Sequence, residues 1–164
     1  MQIAFDSSTL ILLAKTGLLD IFLDEYPGNV IISKTVEGEC LAKLSYDAQL
    51  IQARIHDGKI EVKRVRDKKL CAKIEKDFDI NLGEAEAIIM GQEFNAIVAT
   101  DDWNAIQACK VLKLPFTSAL AILIRLKEKN VLDKESALAK LNTLVVYGRY
   151  GQGIVQDVKK RLEE

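Results

Sequence analysis

Four short acidic motifs in the first two thirds of the chain have the residue types and positions that metal-dependent chemistry uses. The acids are Asp6, Glu39, Glu84 and the adjacent pair Asp101 and Asp102. Asp6 and Asp101 follow apolar runs typical of strands, whereas Glu39 and Glu84 lie near predicted helix starts. Carboxylates brought close together repel one another, so either some stay protonated or a cation binds. A bound cation would indicate phosphodiester chemistry.

The Asp residues that follow strands also have a structural interpretation. An Asp at such a position commonly caps the next helix. Next to Asp6, however, the hydroxyls of Ser8 and its neighbours already offer capping oxygens. We therefore expect Ser8 or Thr9 to orient the Asp6 carboxylate or a metal-bound water. Asp101 and Asp102 together carry more negative charge than one cap requires, so one is expected to bind metal through water while the other caps.

Glu84 differs from the other acids of its predicted helix. At about 100° per residue, Glu84 lies beside Ile88 on the apolar side, whereas Glu86 and Glu93 lie together on the polar side. A carboxylate that points inward needs a partner, because burying an unpaired charge is costly. The alternative is a capping box, in which Glu84 accepts a hydrogen bond from the backbone of Asn81.

Periodicity does not decide which glutamate of the second motif takes part. Val36 and Cys40 belong to the apolar stripe of this predicted helix. Glu39 falls just outside that stripe, and Glu37 lies closer to the middle of the apolar arc. One of the two is the predicted participant.

Composition limits the function classes. The chain has 164 residues, 49% of them hydrophobic and 29% charged, which is typical of one globular domain. Its formal net charge is −1, so binding to a polyanion would need a local basic patch or a bound metal. Two basic runs are either such patches or solvated faces; they are Lys63, Arg64, Arg66, Lys68 and Lys69, and then Lys159, Lys160 and Arg161.

Cysteine spacing and the apolar runs indicate a cytoplasmic protein. Cys40, Cys71 and Cys109 are odd in number and widely spaced, so we expect buried thiols in a reducing compartment. No basic segment followed by a long apolar core begins the chain, and no later stretch reaches the ~18 apolar residues of a membrane helix. The only histidine, His56, is expected at the surface in a turn.

Strand patterns alternate with helical patterns along the chain. Predicted strands cover residues 2–5, 29–32, 60–65 and 96–99, with a short extended segment at 114–116. Predicted helices cover residues 10–15, 18–23, 34–44, 48–55, 68–77, 82–94, 104–112, 119–129, 134–144 and 154–162. This alternation predicts a parallel sheet with helices on both faces. We expect one domain over residues 1–164, with a helical C-terminal extension from about residue 130.

The ordered set of acidic motifs resembles that of the PIN-domain ribonucleases. The resemblance is carried by D-S-S-T-L-I from Asp6, V-x-x-E at 36–39, G-E-A-E-A-I at 83–88 and T-D-D at 100–102. It extends to about residue 144 and is similar to prokaryotic PIN proteins related to VapC-type toxins. It implies a three-layer α/β/α fold with a central parallel sheet and a helical C-terminal region.

The same resemblance implies an endoribonuclease that depends on Mg²⁺ or Mn²⁺ and acts on RNA. The implied metal-binding and catalytic acids are Asp6, Glu39, Glu84 and Asp102, and Asp101 is implied as a helper. Ser8 or Thr9 would contact these acids and not the metal itself. The V-x-x-E register favours Glu39 over Glu37. Relatives of the toxin type imply a homodimer or higher oligomer and an inhibitory antitoxin protein. The chain departs from the commoner toxin pattern at Glu84, where many members have Asp, and at Trp103, where a basic residue is frequent.

Two other functions use the same residues. A catalytically silent PIN-fold module would bind nucleic acid or protein without cleaving it. A phosphatase acting through an aspartyl phosphate on Asp6 would usually need a second acid two residues later, where Ser8 stands. The absence of a P-loop pattern disfavours nucleotide hydrolysis of that type.

Overall fold

Five short strands form a parallel sheet at the centre of the structure. The computed structural model describes residues 1–164. The strands are β1 (Ile3–Phe5), β2 (Val30–Ser33), β3 (Ile60–Lys63), β4 (Ile97–Ala99) and β5 (Phe116–Thr117). Their order is β3-β2-β1-β4-β5, and every neighbouring pair is parallel. Because β1 and β4 are neighbours, the residues that follow them meet at one edge of the sheet.

Ten helices connect the strands and cover the sheet. They are α1 (Ser7–Lys15), α2 (Leu19–Glu25), α3 (Lys34–Cys40), α4 (Tyr46–His56), α5 (Lys68–Phe78), α6 (Leu82–Glu93), α7 (Trp103–Val111), α8 (Ala119–Glu128), α9 (Lys134–Tyr147) and α10 (Gln152–Glu163). The predicted three-layer α/β/α fold with a central parallel sheet is confirmed. None of the ten helices has both the length and the apolar character that a membrane crossing requires.

The two faces of the sheet pack against different helices. Ile3 and Phe5 belong to a core of 27 buried residues that also holds side chains of α1, α2, α8, α9 and α10. Ala4, between them, packs on the other face with Met90 of α6. This alternation follows from the strand geometry, in which successive side chains point to opposite faces. The C-terminal helices thus share the core that supports β1.

The helix predicted over 34–44 ends earlier, at Cys40, and the helix predicted over 154–162 begins earlier, at Gln152, so that α10 includes Gly153. The predicted burial of the three cysteines is confirmed, and all are free thiols. Burial raises the pKa of Cys71 and of Cys109 to about 11, so these thiols are protonated at neutral pH and are poor nucleophiles. His56 is exposed, as predicted, but it is the last residue of α4 and does not lie in a turn.

Candidate active site

Asp6 is held at the carboxyl end of β1 by hydrogen bonds to β4, to α1 and to the residue that follows β4. Its backbone N donates to the Ala99 carbonyl of β4 at 3.1 Å. Its Oδ1 accepts a hydrogen bond from Thr9 N at 2.9 Å, and its Oδ2 accepts one from Thr100 Oγ1 at 2.6 Å. The side chain is only 1% exposed. Burial raises the pKa of this carboxyl from 3.8 to about 6, although both hydrogen bonds oppose the rise.

The expectation that serine hydroxyls cap α1 is wrong, because Asp6 is itself the N-cap. Its extended backbone (φ −78°, ψ 169°) brings the short carboxylate over Thr9 N in the first turn. Ser8 Oγ contacts Asp6 Oδ1 only at 3.5 Å. Thr9 Oγ1 instead donates to Asp101 Oδ2 at 2.8 Å. Thr9 therefore links the two Asp residues that follow β1 and β4.

Asp101 connects three parts of the chain. Besides the Thr9 hydroxyl, its carboxylate accepts hydrogen bonds from Ala119 N, at 3.3 and 3.2 Å, and from the Tyr150 hydroxyl at 3.1 Å. These partners belong to α1, the start of α8 and the turn between α9 and α10. Burial raises the pKa of Asp101, and the three partners oppose that rise.

Asp102 and Glu84 each cap the N-terminus of a helix at the same edge of the sheet. Asp102 is the N-cap of α7, and its Oδ2 accepts a hydrogen bond from Ala105 N at 2.9 Å. Glu84 forms the capping box with Asn81: Glu84 Oε2 accepts from Asn81 N at 3.0 Å, and Asn81 Oδ1 accepts from Glu84 N at 2.9 Å. Burial raises the pKa of Glu84 to about 7, and the charges of Asp102, Asp6 and Glu39 add to the rise. Capping and proximity to other acids therefore coexist at Glu84.

Glu39 faces the acidic cluster, whereas Glu37 has a partner elsewhere. Glu39 Oε2 accepts a hydrogen bond from Ser7 Oγ at 3.3 Å, and Glu39 Oε1 lies where a side chain at Gly83 would have to start. Partial burial raises the pKa of Glu39, with a smaller contribution from the charge of Glu86. Glu37 pairs with Lys34 at 2.7 Å.

The helical-wheel prediction that Glu86 is a solvated acid is wrong. It is only 8% exposed, and its Oε1 accepts a hydrogen bond from Thr35 Oγ1 at 2.6 Å. The wheel assumed one apolar side, but α6 packs against the sheet and also against α3, α5 and α7. Most of its circumference is therefore buried, and an acid on the presumed polar side needs a hydroxyl partner.

No basic side chain neutralises the five acids of the cluster. The seven ion pairs of the structure involve none of Asp6, Glu39, Glu84, Asp101 and Asp102. Such an all-oxygen, uncompensated donor set suits a hard divalent cation such as Mg²⁺ or Mn²⁺. Asp6, Glu84 and Asp102 accept hydrogen bonds at the helix N-termini that they cap. No three of the chain's His, Cys, Asp or Glu side chains are grouped as metal ligands. The donor chemistry of the five acids thus fits a hard divalent cation.

Comparison with known families agrees with the fold. A family model described as a PIN domain matches residues 2–164. The chain belongs to the PIN-domain family. The PIN domain is typically a nuclease fold, so the resemblance drawn from the motifs is confirmed at the level of the family. No curated protein matches the chain, and the narrower relation to VapC-type toxins stays a prediction.

Three of the five acids of this PIN domain line a cleft of about 520 Å³, and Glu39 is not among its lining residues. Glu84, Asp101 and Asp102 line it, whereas Asp6 lies buried beneath. The sequence-based prediction missed several cleft residues; they are Lys15, Tyr147, Arg149 and Tyr150. Lys15 is the last residue of α1. The only signal for the other three was a Gly-interrupted, Tyr-rich break between two predicted helices, with no fixed spacing to the acids.

The first basic run surrounds a different cavity, of about 750 Å³. Lys63, Arg64, Arg66 and Lys68 line it together with residues at the end of α6, namely Glu93 and Phe94. Glu84, in the first turn of α6, lines the cleft, and Glu93, nine residues later, lines this cavity. The rise of the helix therefore places the cavity roughly 14 Å from the acids along the helix axis. In the second run, Arg161 pairs with Glu128 at 2.9 Å, as expected of a solvated face.

Proposed function

We propose that this PIN domain is a Mg²⁺- or Mn²⁺-dependent endoribonuclease that hydrolyses RNA phosphodiester bonds. One observation carries the proposal: four separate elements bring carboxylates to one edge of the sheet, and no cation of the protein neutralises them. Burial without a basic partner disfavours the charged form of an acid and so raises its pKa. A divalent cation that binds the charged form should therefore stabilise the folded protein.

The proposed division of roles follows from the contacts of each acid. Asp6, Glu84 and Asp102 would hold the metal, and Glu39 would complete the acidic cluster from α3. Thr9 and Thr100 orient Asp6 through their hydrogen bonds of 2.9 and 2.6 Å. When bound, the metal supplies a water of lowered pKa and neutralises charge on the phosphate.

Asp101 has a supporting role in this proposal. Its oxygens accept hydrogen bonds from Thr9, Ala119 and Tyr150, so they are committed to holding α1, α8 and the α9–α10 turn around the cleft. Lys15 and Arg149 line the same cleft and enter no ion pair. They are therefore free to form ion pairs with substrate phosphates.

Cleavage of single-stranded RNA tests the proposal. The wild-type protein is expected to cleave it with Mg²⁺ or Mn²⁺ and to lose activity in EDTA. Asp6→Asn keeps an oxygen for Thr9 N but removes the charge, so cleavage should fall roughly a hundredfold or more. Glu37→Gln is the matched control, because Glu37 pairs with Lys34 outside the cluster, and it should cleave like the wild type. Cleavage that survives EDTA and Asp6→Asn would contradict the proposal.

A catalytically silent binding module is the second candidate. It is favoured by the cap hydrogen bonds that engage Asp6, Glu84 and Asp102, since these acids serve the fold without any metal. Calorimetric titration separates the two candidates. The ribonuclease should bind Mn²⁺ with submillimolar affinity that Glu84→Gln weakens, whereas a silent module should bind it more weakly than millimolar.

The toxin role, an antitoxin partner and a homodimer or higher oligomer are extensions of this proposal. Their support is the motif resemblance to VapC-type proteins. Light scattering of the purified chain should give a mass above the 18.3 kDa of one copy if the oligomer forms. Co-expression with a small protein encoded beside the gene should suppress cleavage if an antitoxin exists.

A further inference from the structure

Exposed aromatic rings stand beside the acids at the cleft. Trp103 directly follows Asp102 as the first residue of α7 and is 70% exposed. Tyr147, at the end of α9, is 53% exposed. Both line the cavity that contains Glu84 and Asp102. Large aromatic side chains normally bury most of their surface in a core, so two exposed rings in one cleft indicate a ligand with flat, apolar faces.

Cations accompany both rings. Lys15 Nζ lies 5.3 Å from the centroid of the Tyr147 ring, and Lys110 Nζ lies 6.0 Å from that of Trp103. Lys15 and Arg149 also line the cavity. Rings for stacking combined with cations for phosphates are the two components of sequence-tolerant sites for single-stranded nucleic acids.

The turn that follows Tyr147 is held against the acidic cluster. Tyr150, three residues later, donates its hydroxyl hydrogen to Asp101 Oδ1 at 3.1 Å. Asp101 in turn is adjacent to Asp102 and Trp103. The hydrogen bond thus fixes the distance between the two sides of the cleft, and Tyr150 is a positioning residue for the wall that Tyr147 and Arg149 form.

We infer that Trp103 and the turn at residues 147–150 form a subsite for an unpaired nucleobase next to the scissile phosphate. The base stacks on the Trp103 and Tyr147 rings, while Lys15 and Arg149 take the flanking phosphates. Base-paired RNA does not fit this subsite, because its bases are already stacked within the duplex. The inference rests on the proposed function, whose substrate it makes more specific.

Trp103 is the only tryptophan of the chain, so its fluorescence reports occupancy of the subsite without any cleavage. The probe is a short oligoadenylate added to the Asp6→Asn variant with Mg²⁺, which should quench the fluorescence. The same sequence in an RNA duplex and a polyglutamate peptide of similar charge should leave it unchanged.

Kinetics on the otherwise wild-type protein supply the second readout. Trp103→Ala and Tyr147→Ala should each raise KM for single-stranded RNA by roughly fivefold to a hundredfold, as loss of one base stack predicts. Tyr147→Phe keeps the ring and should retain the wild-type KM. Val111→Ala and Val146→Ala are matched controls, exposed on the same two helices and outside the cleft, and should leave KM unchanged.

The outcomes separate this inference from the proposed function. If the wild type cleaves RNA but Trp103→Ala matches Val111→Ala in KM and the oligoadenylate does not quench, the subsite is wrong and the ribonuclease stands. Quenching without any metal-dependent cleavage supports the subsite and contradicts the ribonuclease. Equal quenching by the duplex, or quenching by polyglutamate alone, overturns the base subsite and assigns the surface to another partner.

Discussion

Asp6 serves the fold and the candidate site through the same two oxygens. It caps α1 through Thr9 N and accepts the Thr100 hydroxyl, yet it remains one of five acids without a basic partner. Capping at the end of a buried strand thus orients this carboxylate without giving it a basic partner. The helix that Asp6 caps holds its carboxylate in place, and under the proposed function a bound cation would offset the cost of its charge.

The raised pKa of Asp6 predicts how stability depends on pH without divalent cations. The folded pKa of about 6 exceeds the unfolded pKa near 3.8. The contribution of the protonated Asp6 carboxyl to stability is therefore complete below about pH 3.8. It is lost as the pH rises through about 6. The loss amounts to roughly 3 kcal/mol at about 1.4 kcal/mol per pH unit. Denaturant unfolding in EDTA should show wild-type stability falling in this range relative to Asp6→Asn.

Mg²⁺ supplies the control for this prediction. The cation binds the ionised carboxylate, so it should raise the free energy of unfolding of the wild type at pH 7 and have little effect on Asp6→Asn. Glu37→Gln, outside the cluster, should follow the wild-type curve. If the wild type gained stability relative to Asp6→Asn between pH 4 and 7 in EDTA, the claim that the Asp6 charge is uncompensated would be refuted.

At the scale of elements, the start of α6 is shaped around Glu39 of α3. Gly83 is the second residue of α6, and a Cβ placed there would collide with Glu39 Oε1. The missing side chain therefore makes room for a carboxylate from another helix. The contact is to the flexible end of Glu39, so a substitution should move the acid and leave the fold intact.

Gly83→Ala is predicted to impair function more than stability. The alanine favours helix by up to about 1 kcal/mol, which offsets the cost of displacing Glu39, so the free energy of unfolding should change by less than about 1 kcal/mol. RNA cleavage and Mn²⁺ affinity should both fall, by roughly tenfold, because one carboxylate leaves the cluster. Denaturant unfolding, kinetics and calorimetry measure the three quantities.

Gly38→Ala is the matched control for Gly83→Ala. Gly38 lies on α3 next to Glu39, and a Cβ there meets no atom within 4 Å. It should gain roughly 0.5–1 kcal/mol of stability and keep wild-type cleavage. A loss of activity equal to that of Gly83→Ala would place the effect in the helix backbone and not in the Glu39 carboxylate.

The sequence sufficed for the sheet and for the positions of the acids that follow strands. Asp6 and Asp101 were predictable because parallel strands bring their carboxyl ends to one edge. Tyr150 was not, because its place beside Asp101 depends on how α9 and α10 pack, which local periodicity does not encode. The burial of Glu86 was missed for a related reason, since a helix surrounded on several sides has no single apolar stripe.

At the scale of the whole molecule, the C-terminal helices and the central strand belong to one core. Leu144 of α9 is fully buried in the same cluster as Ile3 and Phe5 of β1. The turn that lines the cleft directly follows α9, so the cleft wall rests on this packing. A separable C-terminal lobe would leave the strands unaffected by changes in α9, whereas a shared core would not.

Leu144→Ala distinguishes these two cases. Removing the buried side chain leaves a cavity and should lower the free energy of unfolding by about 2–5 kcal/mol. Val146→Ala on the same helix is 76% exposed and should change it by less than about 0.5 kcal/mol. Hydrogen exchange should show amides of β1 and α9 losing protection by the same amount in Leu144→Ala, because both open only with the common core. Loss of protection confined to α9 and α10, with β1 protected as in the wild type, would show instead that the cleft wall is a separate, locally unfolding unit.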